Sequence, residues 1–201
     1  MISDKNTELA DQALAENLVF NSRGLVLQKI VLSHTKTPDY LLCQNGQQVA
    51  FCELKSPRDD WLDERFAEAV DGDCVGGMRN DPTFNRIARL ANKASIQFEA
   101  VNLARNLPNI LIFVNHDDSS SINDLREAFT GCFFANDGSR IVSIPEVASR
   151  LRRAKTNIDL CIWIDAKTSK LHGFFFNFDA TPNYLSQLCS LFGFKPDQIE
   201  R

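Results

Sequence analysis

The dipeptide Asn45-Gly46 constrains the fold of this chain more than any other feature. It lies between two strand-like segments, residues 37–43 and 48–56. Asn-Gly is strongly favoured in the tight turns of β-hairpins. The two segments are therefore predicted to run antiparallel as neighbouring strands, and the rest of the chain has to pack around this hairpin.

The returning strand of the hairpin ends in charged residues that core packing does not explain. Glu53 and Lys55 follow the apolar run 49–52, and burying unpaired charges there would be costly. Because side chains alternate between the faces of a strand, Glu53 and Lys55 share one face and Leu54 lies on the other. Asp39 begins the first strand, so the hairpin can bring a second acid to this pair.

The register of the hairpin decides whether Asp39 reaches Glu53. A regular two-residue loop places Asp39 opposite Cys52, so that its side chain faces away from Glu53. A three-residue loop over 45–47 instead pairs Asp39 with Glu53 and puts both carboxylates on one face. We therefore predict a three-residue loop with a bulge at Gly46, or an equivalent bulge further along the ladder.

Two carboxylates on adjacent strands with a lysine beside them suit metal-dependent hydrolysis of phosphodiester bonds. Mg²⁺ prefers oxygen ligands and keeps several waters, and a metal-bound water is a good nucleophile at neutral pH. A neighbouring lysine can orient that water or stabilise charge that develops on the phosphate. The candidate catalytic residues are accordingly Asp39, Glu53 and Lys55, with Mg²⁺ as the expected cofactor and Mn²⁺ as a substitute.

The spacing of these residues resembles that of the PD-(D/E)xK nuclease superfamily, which includes type II restriction enzymes and archaeal Holliday-junction resolvases. Pro38-Asp39 is followed, after thirteen residues, by Glu53-Leu54-Lys55 on an apolar strand. The matching core extends from the first helix to about Val114. The resemblance implies an α/β fold of the restriction-endonuclease type, with a central mixed β-sheet flanked by helices, in one domain over residues 1–201.

The resemblance also implies further metal ligands. Besides the two strand carboxylates, the backbone carbonyl of Leu54 would bind one or two Mg²⁺ ions. An acid on the first helix often adds a contact in this superfamily, and Glu16 is the best match by position. Glu8 and Asp11 remain open as alternatives, and an ordinary exposed helical Glu remains open as an explanation of Glu16.

A long helix, predicted over residues 81–106, carries the candidate substrate contacts. Members of the superfamily often have a glutamine or lysine on this helix, and here Lys93 and Gln97 lie four residues apart on one face. Arg86 and Arg89 extend the same side of the helix. This stripe is consistent with phosphate binding and equally with a solvated face.

The remaining elements follow from hydrophobic periodicity and from turn residues. Strands are predicted over 25–33, 109–115, 158–165 and 171–178, and helices over 3–22, 122–130, 145–155 and from Thr181-Pro182 to about Gly193. The acidic segment 57–77 contains one further candidate helix. Together these elements predict a mixed α/β architecture with helices packed on a sheet.

Composition limits the partners. The chain has 26 acidic and 22 basic residues, a formal net charge of -4, whereas nucleic-acid binders usually carry a basic footprint. Any nucleic-acid surface must therefore be local. No apolar run approaches the roughly 20 residues that span a bilayer, and the N-terminus resembles neither a secretory signal nor a transit peptide. A cytoplasmic protein without a membrane partner is expected.

The favoured interpretation is an Mg²⁺-dependent endonuclease that hydrolyses phosphodiester bonds in DNA. A homodimer is compatible with this activity, because both strands of a duplex have to be cut. The alternative is a catalytically inactive nuclease-fold protein that acts as a binding or regulatory module, which the acidic charge favours. The sequence also leaves open that Asp39 is a strand-edge acid and that Glu53 and Lys55 form a surface ion pair.

Overall fold

A computed structural model of the chain describes residues 2–31, 37–58, 61–72, 74, 83–134, 140–143, 151–180 and 184–199. The strands are β1 (Leu25–Lys29), β2 (Tyr40–Gln44), β3 (Gln47–Lys55), β4 (Asn109–Asn115), β5 (Cys132–Phe134), β6 (Arg140–Ser143), β7 (Leu160–Asp165) and β8 (Lys170–Phe176). The α-helices are α1 (Ile2–Ala15), α2 (Trp61–Glu68), α3 (Thr83–Val101), α4 (Ile122–Thr130), α5 (Arg152–Asn157) and α6 (Leu185–Phe192).

Six of the strands form one mixed sheet in the order β1-β2-β3-β4-β7-β8. The first three form an antiparallel meander, and β3, β4 and β7 are parallel to one another. Strand β8 returns antiparallel along β7. Since α3 lies between β3 and β4 in the chain, it forms the crossover that two parallel neighbours require. The predicted α/β architecture is confirmed in this form, a mixed sheet flanked by helices.

Strand β4 is buried along its whole length and separates two hydrophobic cores. Ile110, Ile112 and Val114 point into a core that contains the end of α1 and helix α6. Leu111 and Phe113 point into the other core, which contains α3, α4 and α5. This alternation explains why the segment 109–115 is a continuous apolar run, and its predicted limits are confirmed.

The hairpin turn differs from the three-residue loop that we predicted. Asn45 and Gly46 form a two-residue loop closed by the pair Gln44 and Gln47. Both loop residues have positive φ, 51° and 78°, as a type I′ turn requires. The three-residue loop is therefore wrong, because Asn-Gly adopts its preferred tight turn.

The alternative prediction, a bulge further along the ladder, is confirmed. The register shifts between Cys43, which pairs with Gln48, and Leu42, which pairs with Ala50. Val49 is thus the extra residue on β3. Tyr40 then pairs with Cys52, so continuing the ladder places Asp39 opposite Glu53.

Several predicted limits need correction. Strand β1 ends at Lys29 rather than at residue 33, and α3 ends at Val101 rather than near residue 106. The amide of Asn102 replaces the next helical turn, since its Oδ1 accepts from the Asn106 backbone at 2.9 Å and its Nδ2 donates to the Leu107 carbonyl at 2.6 Å. Polar side chains of this kind compete with the helix for backbone hydrogen bonds.

Other elements were missed or lie partly outside the described residues. The two-stranded sheet of β5 and β6 was not predicted. The helix predicted over 145–155 is described from Arg152 onwards, and the Thr181-Pro182 start of the last helix lies outside the described residues. The end of that helix at Gly193 is confirmed, because Gly193 adopts a left-handed φ of 78°. Within the described residues, no helix has the length and apolar character needed to cross a membrane.

Candidate functional site

Asp39 and Glu53 are joined by backbone-to-side-chain hydrogen bonds across β2 and β3. The Asp39 amide donates to Glu53 Oε2 at 2.9 Å, and Asp39 Oδ2 accepts from the Leu54 amide at 3.1 Å. The bulge at Val49 makes this possible, because it brings both acids to the same face. The structure therefore places the two predicted carboxylates side by side.

Lys55 completes this group from the same face of β3. Its Nζ contacts Glu53 Oε1 and donates to Gln97 Oε1 at 3.3 Å. Gln97 lies on α3 and is buried, and its Nε2 donates to the Thr37 carbonyl at 2.9 Å. Through Gln97, helix α3 thus holds both the lysine and the segment that precedes β2.

The electrostatics of the site centre on Glu53, whose side chain has no exposed surface. The pKa of Glu53 is raised to about 7, chiefly by burial and to a smaller extent by the nearby Asp39 carboxylate. The Lys55 ammonium and the hydrogen bonds from Lys55 and Asp39 oppose this shift. Any additional cation beside the two acids would favour the ionised form of Glu53.

The oxygen atoms of this site suit a hard divalent cation. Mg²⁺ is commonly bound by one or two carboxylates, with waters and substrate phosphates as its other ligands. The partly buried Asp39 and the fully buried Glu53 provide that number. Among the described residues, no group of three or more His, Cys, Asp or Glu side chains is arranged to hold a metal ion. Within the described residues, a cation at this position would have two carboxylates as its charged ligands.

Glu16, the predicted additional metal ligand, is connected to the α1 side of the sheet. It begins the π-helical turn Glu16–Phe20 that follows α1. Its Oε1 accepts from Gln12 at 2.9 Å, and Gln12 in turn accepts from the Tyr40 hydroxyl at 3.2 Å. Tyr40 packs in the core on the α1 side of the sheet, whereas Glu53 faces α3. A metal contact from Glu16 stays a prediction.

A second cluster, which the sequence did not predict, joins α1 to the ends of β3 and β4. The buried Asp11 carboxylate accepts from Ser56 Oγ at 2.5 Å and lies 3.0 Å from His116 Nε2. The His116 amide also donates to the Pro57 carbonyl. The partner of His116 on α1 lies 105 residues away in the chain, so no local signal in the sequence indicates this contact.

The four candidate residues on α3 have different environments. Arg86 contacts Asp117 in a largely buried ion pair, so its charge is already partnered. Arg89 and Lys93 are exposed, and Gln97 is buried against Lys55. Only the middle of the stripe therefore presents positive charge to solvent.

A small cavity lies at the carboxyl ends of β4 and β7. It has a volume of about 100 Å³ and a polar lining that includes His116, Asp165 and His172. Its acids are partnered, for example Asp165 with the Thr168 amide and with His172. Neither Asp39 nor Glu53 lines this cavity, so it is separate from that pair.

Comparison with known proteins identifies no relative of this chain. No protein-family model, curated protein or solved structure matches it. The site therefore has to be interpreted from its own geometry and chemistry.

Proposed function

We propose that this protein is a divalent-metal-dependent nuclease of the PD-(D/E)xK type, with a restriction-endonuclease-like fold, that hydrolyses phosphodiester bonds in DNA. One observation carries the proposal. Asp39, Glu53 and Lys55 meet on one face of the hairpin, whereas a ladder in which Val49 was regularly paired would place Asp39 opposite Cys52. Ordinary core packing gives no reason to gather two acids and a lysine there.

The roles of the residues follow from their positions. Asp39, Glu53 and the Leu54 carbonyl would hold Mg²⁺ or Mn²⁺. When bound, such an ion supplies an activated water and stabilises charge on the phosphate. The Lys55 ammonium carries a third N–H beyond those directed to Glu53 and Gln97, and this hydrogen is available to a phosphate oxygen.

Gln97 acts as a positioning residue in this proposal. Its amide oxygen holds the Lys55 ammonium, and its amide nitrogen is fixed on the Thr37 carbonyl. The lysine side chain is only 11% exposed, so it approaches a substrate in one restricted orientation. Pre-organised donors of this kind stabilise developing charge without reorganisation during the reaction.

We propose that the nucleic acid contacts a small surface with few positive charges. Arg89 and Lys93 are exposed on α3, on the same helix that carries Gln97. Phosphate contacts of this kind position a nucleic acid without reading its sequence. Two such side chains in an acidic chain predict affinity that falls as salt rises.

The complete burial of Glu53 favours one alternative, a nuclease-fold protein that binds partners without catalysis. A carboxylate with no exposed surface, already hydrogen-bonded by Asp39 and Lys55, is also a stable structural arrangement. The two proposals differ in what Lys55 does. It is required for cutting in the first and is dispensable for binding in the second.

The test is to incubate plasmid, single-stranded DNA and RNA with Mg²⁺ or Mn²⁺ and native protein, Lys55→Ala or Lys195→Ala. Lys195 is an exposed lysine after α6 and serves as the matched control. Metal-dependent cutting that Lys55→Ala loses and Lys195→Ala keeps supports the nuclease. No cutting by the native protein, with metal binding in calorimetry, supports the non-catalytic alternative.

A further inference from the structure

The hydroxyl of Thr37 is a buried polar group without a hydrogen-bond partner. Within the described part of the chain, two buried side-chain atoms are unpartnered, Thr37 Oγ1 and Arg105 Nε. The Arg105 guanidinium uses its other nitrogens on the Asn157 carbonyl and on Asp159. Thr37, which is 8% exposed, has a single polar group in its side chain, and that group is unused.

The position of Thr37 connects this hydroxyl to the candidate site. The Thr37 carbonyl accepts from Gln97, which also holds Lys55. Thr37 also lies only two residues before Asp39, at the bend that leads into β2, so the chain itself keeps the two residues within about 7–8 Å of each other.

Lys55 and Gln97 each have a polar hydrogen beyond those used in their described contacts. Lys55 has three N–H groups, and two are directed to Glu53 and Gln97. Gln97 has two N–H groups on Nε2, and one goes to the Thr37 carbonyl. Together with the Thr37 hydroxyl, these unused hydrogens suit a ligand that has several acceptor oxygens and a negative charge.

We propose that the Thr37 hydroxyl donates a hydrogen bond to a non-bridging oxygen of the phosphodiester bound at Asp39, Glu53 and Lys55. This inference rests on the proposed nuclease function and adds a substrate-contacting residue to it. An unpartnered buried hydroxyl destabilises a fold, whereas valine would fill the same volume without that cost. A hydroxyl kept for a ligand therefore predicts that Thr37→Val gains stability and loses ligand affinity.

The experiment measures the affinity for a fluorescent DNA duplex by anisotropy in Ca²⁺, and the unfolding temperature without ligand. Thr37→Val is expected to bind about tenfold or more weakly, the loss of one hydrogen bond to a charged group, and to unfold at the same or a higher temperature. Thr37→Ser keeps the hydroxyl and is expected to bind like the native protein. Ser95→Ala is the control, because buried Ser95 accepts from Asn157, and it should lower the unfolding temperature without changing affinity.

The outcomes separate this inference from the proposed function. If Thr37→Val binds DNA as tightly as the native protein, while Lys55→Ala does not, the contact from Thr37 is overturned and the nuclease stands. If Thr37→Val loses affinity together with a lower unfolding temperature, Thr37 is structural and the inference also fails. If the native protein neither binds nor cuts DNA, both proposals fail.

Discussion

The backbone amide of Asp39 donates to the carboxylate of Glu53 at 2.9 Å, so each acid of the candidate site is oriented by the other's strand. The reciprocal bond runs from the Leu54 amide to Asp39 Oδ2. These bonds fix both carboxylates through the backbone. A site built in this way tolerates little change in hairpin register.

Mg²⁺ is expected to stabilise the native protein and not its carboxylate variants. At one hundred times the dissociation constant, a ligand that binds the folded state adds about 2.7 kcal/mol, which is about 5–10 °C for a chain of this size. The measurement is thermal unfolding with and without Mg²⁺ for the native protein, Asp39→Asn and Glu53→Gln. Asp118→Asn, which changes an exposed acid, should keep the full shift. An equal shift in Glu53→Gln would place the ion elsewhere.

The contribution of Glu53 to the stability of the protein is expected to fall as pH rises from about 4.5 to about 7. Glu53 has an ordinary pKa of 4.5 when unfolded, and burial raises its folded pKa to about 7. Between these values the folded state binds more protons, so deprotonation favours unfolding. The loss of folding stability caused by Glu53 is complete above its folded pKa and is at most about 3 kcal/mol.

Urea unfolding at pH 5 and pH 8 measures this dependence in the native protein and in Glu53→Gln. The variant should lose less stability between the two pH values. Asp159 also has a raised pKa, about 6, through burial, but its contribution is present in both proteins and cancels in the difference. An identical pH dependence in the two proteins would show that Glu53 is not protonated in the folded state.

Asp11→Ala is expected to destabilise the fold far more than Glu8→Ala, although both acids lie on α1. Removing Asp11 leaves the Ser56 hydroxyl and the His116 ring, both partly buried, without their acceptor, which costs about 1–3 kcal/mol in total. Glu8 forms an exposed ion pair with Lys29, and such pairs contribute less than about 1 kcal/mol. Denaturant midpoints compare the two variants. Equal losses would contradict the structural role of the Asp11 cluster.

Deleting Val49 is expected to keep the site intact. Without Val49, the ladder runs regularly from the Asn45-Gly46 loop and still pairs Leu42 with Ala50, so Asp39 remains opposite Glu53. The protein should lose some stability, about 1 kcal/mol, because a partly buried valine disappears. The Mg²⁺-dependent shift in unfolding temperature should be unchanged. A folded deletion variant without that shift would mean that the bulge itself shapes the site.

The hairpin explains how much of the site could be predicted from the sequence. Alternation on a strand places Glu53 and Lys55 on one face without any knowledge of the fold, and the structure has them in contact. Whether Asp39 lies on the same face depends on one extra residue in β3. The sequence predicted that a bulge was needed and did not locate it at Val49, since no turn residue marks that position.

The contacts that could not be predicted are long-range. Gln97 and Thr37 are 60 residues apart, and Asp11 and His116 are 105 apart. Periodicity predicted the helix that carries Gln97, but the burial of Gln97 and the exposure of Lys93 depend on how α3 packs on the sheet. Likewise, the end of α3 depends on the side chain of Asn102, whose hydrogen bonds to residues 106 and 107 appear once the loop is folded.

The link from Gln97 to both Lys55 and Thr37 has a consequence for the order of events on a growing chain. Strands β2 and β3 are synthesised before α3, and hairpins form within microseconds, so the two acids can meet early. The lysine is held in place only after α3 has docked, because its second acceptor belongs to that helix. A chain still emerging from the ribosome would therefore carry an incomplete set of groups, and any cutting of nucleic acid would begin only with the finished fold.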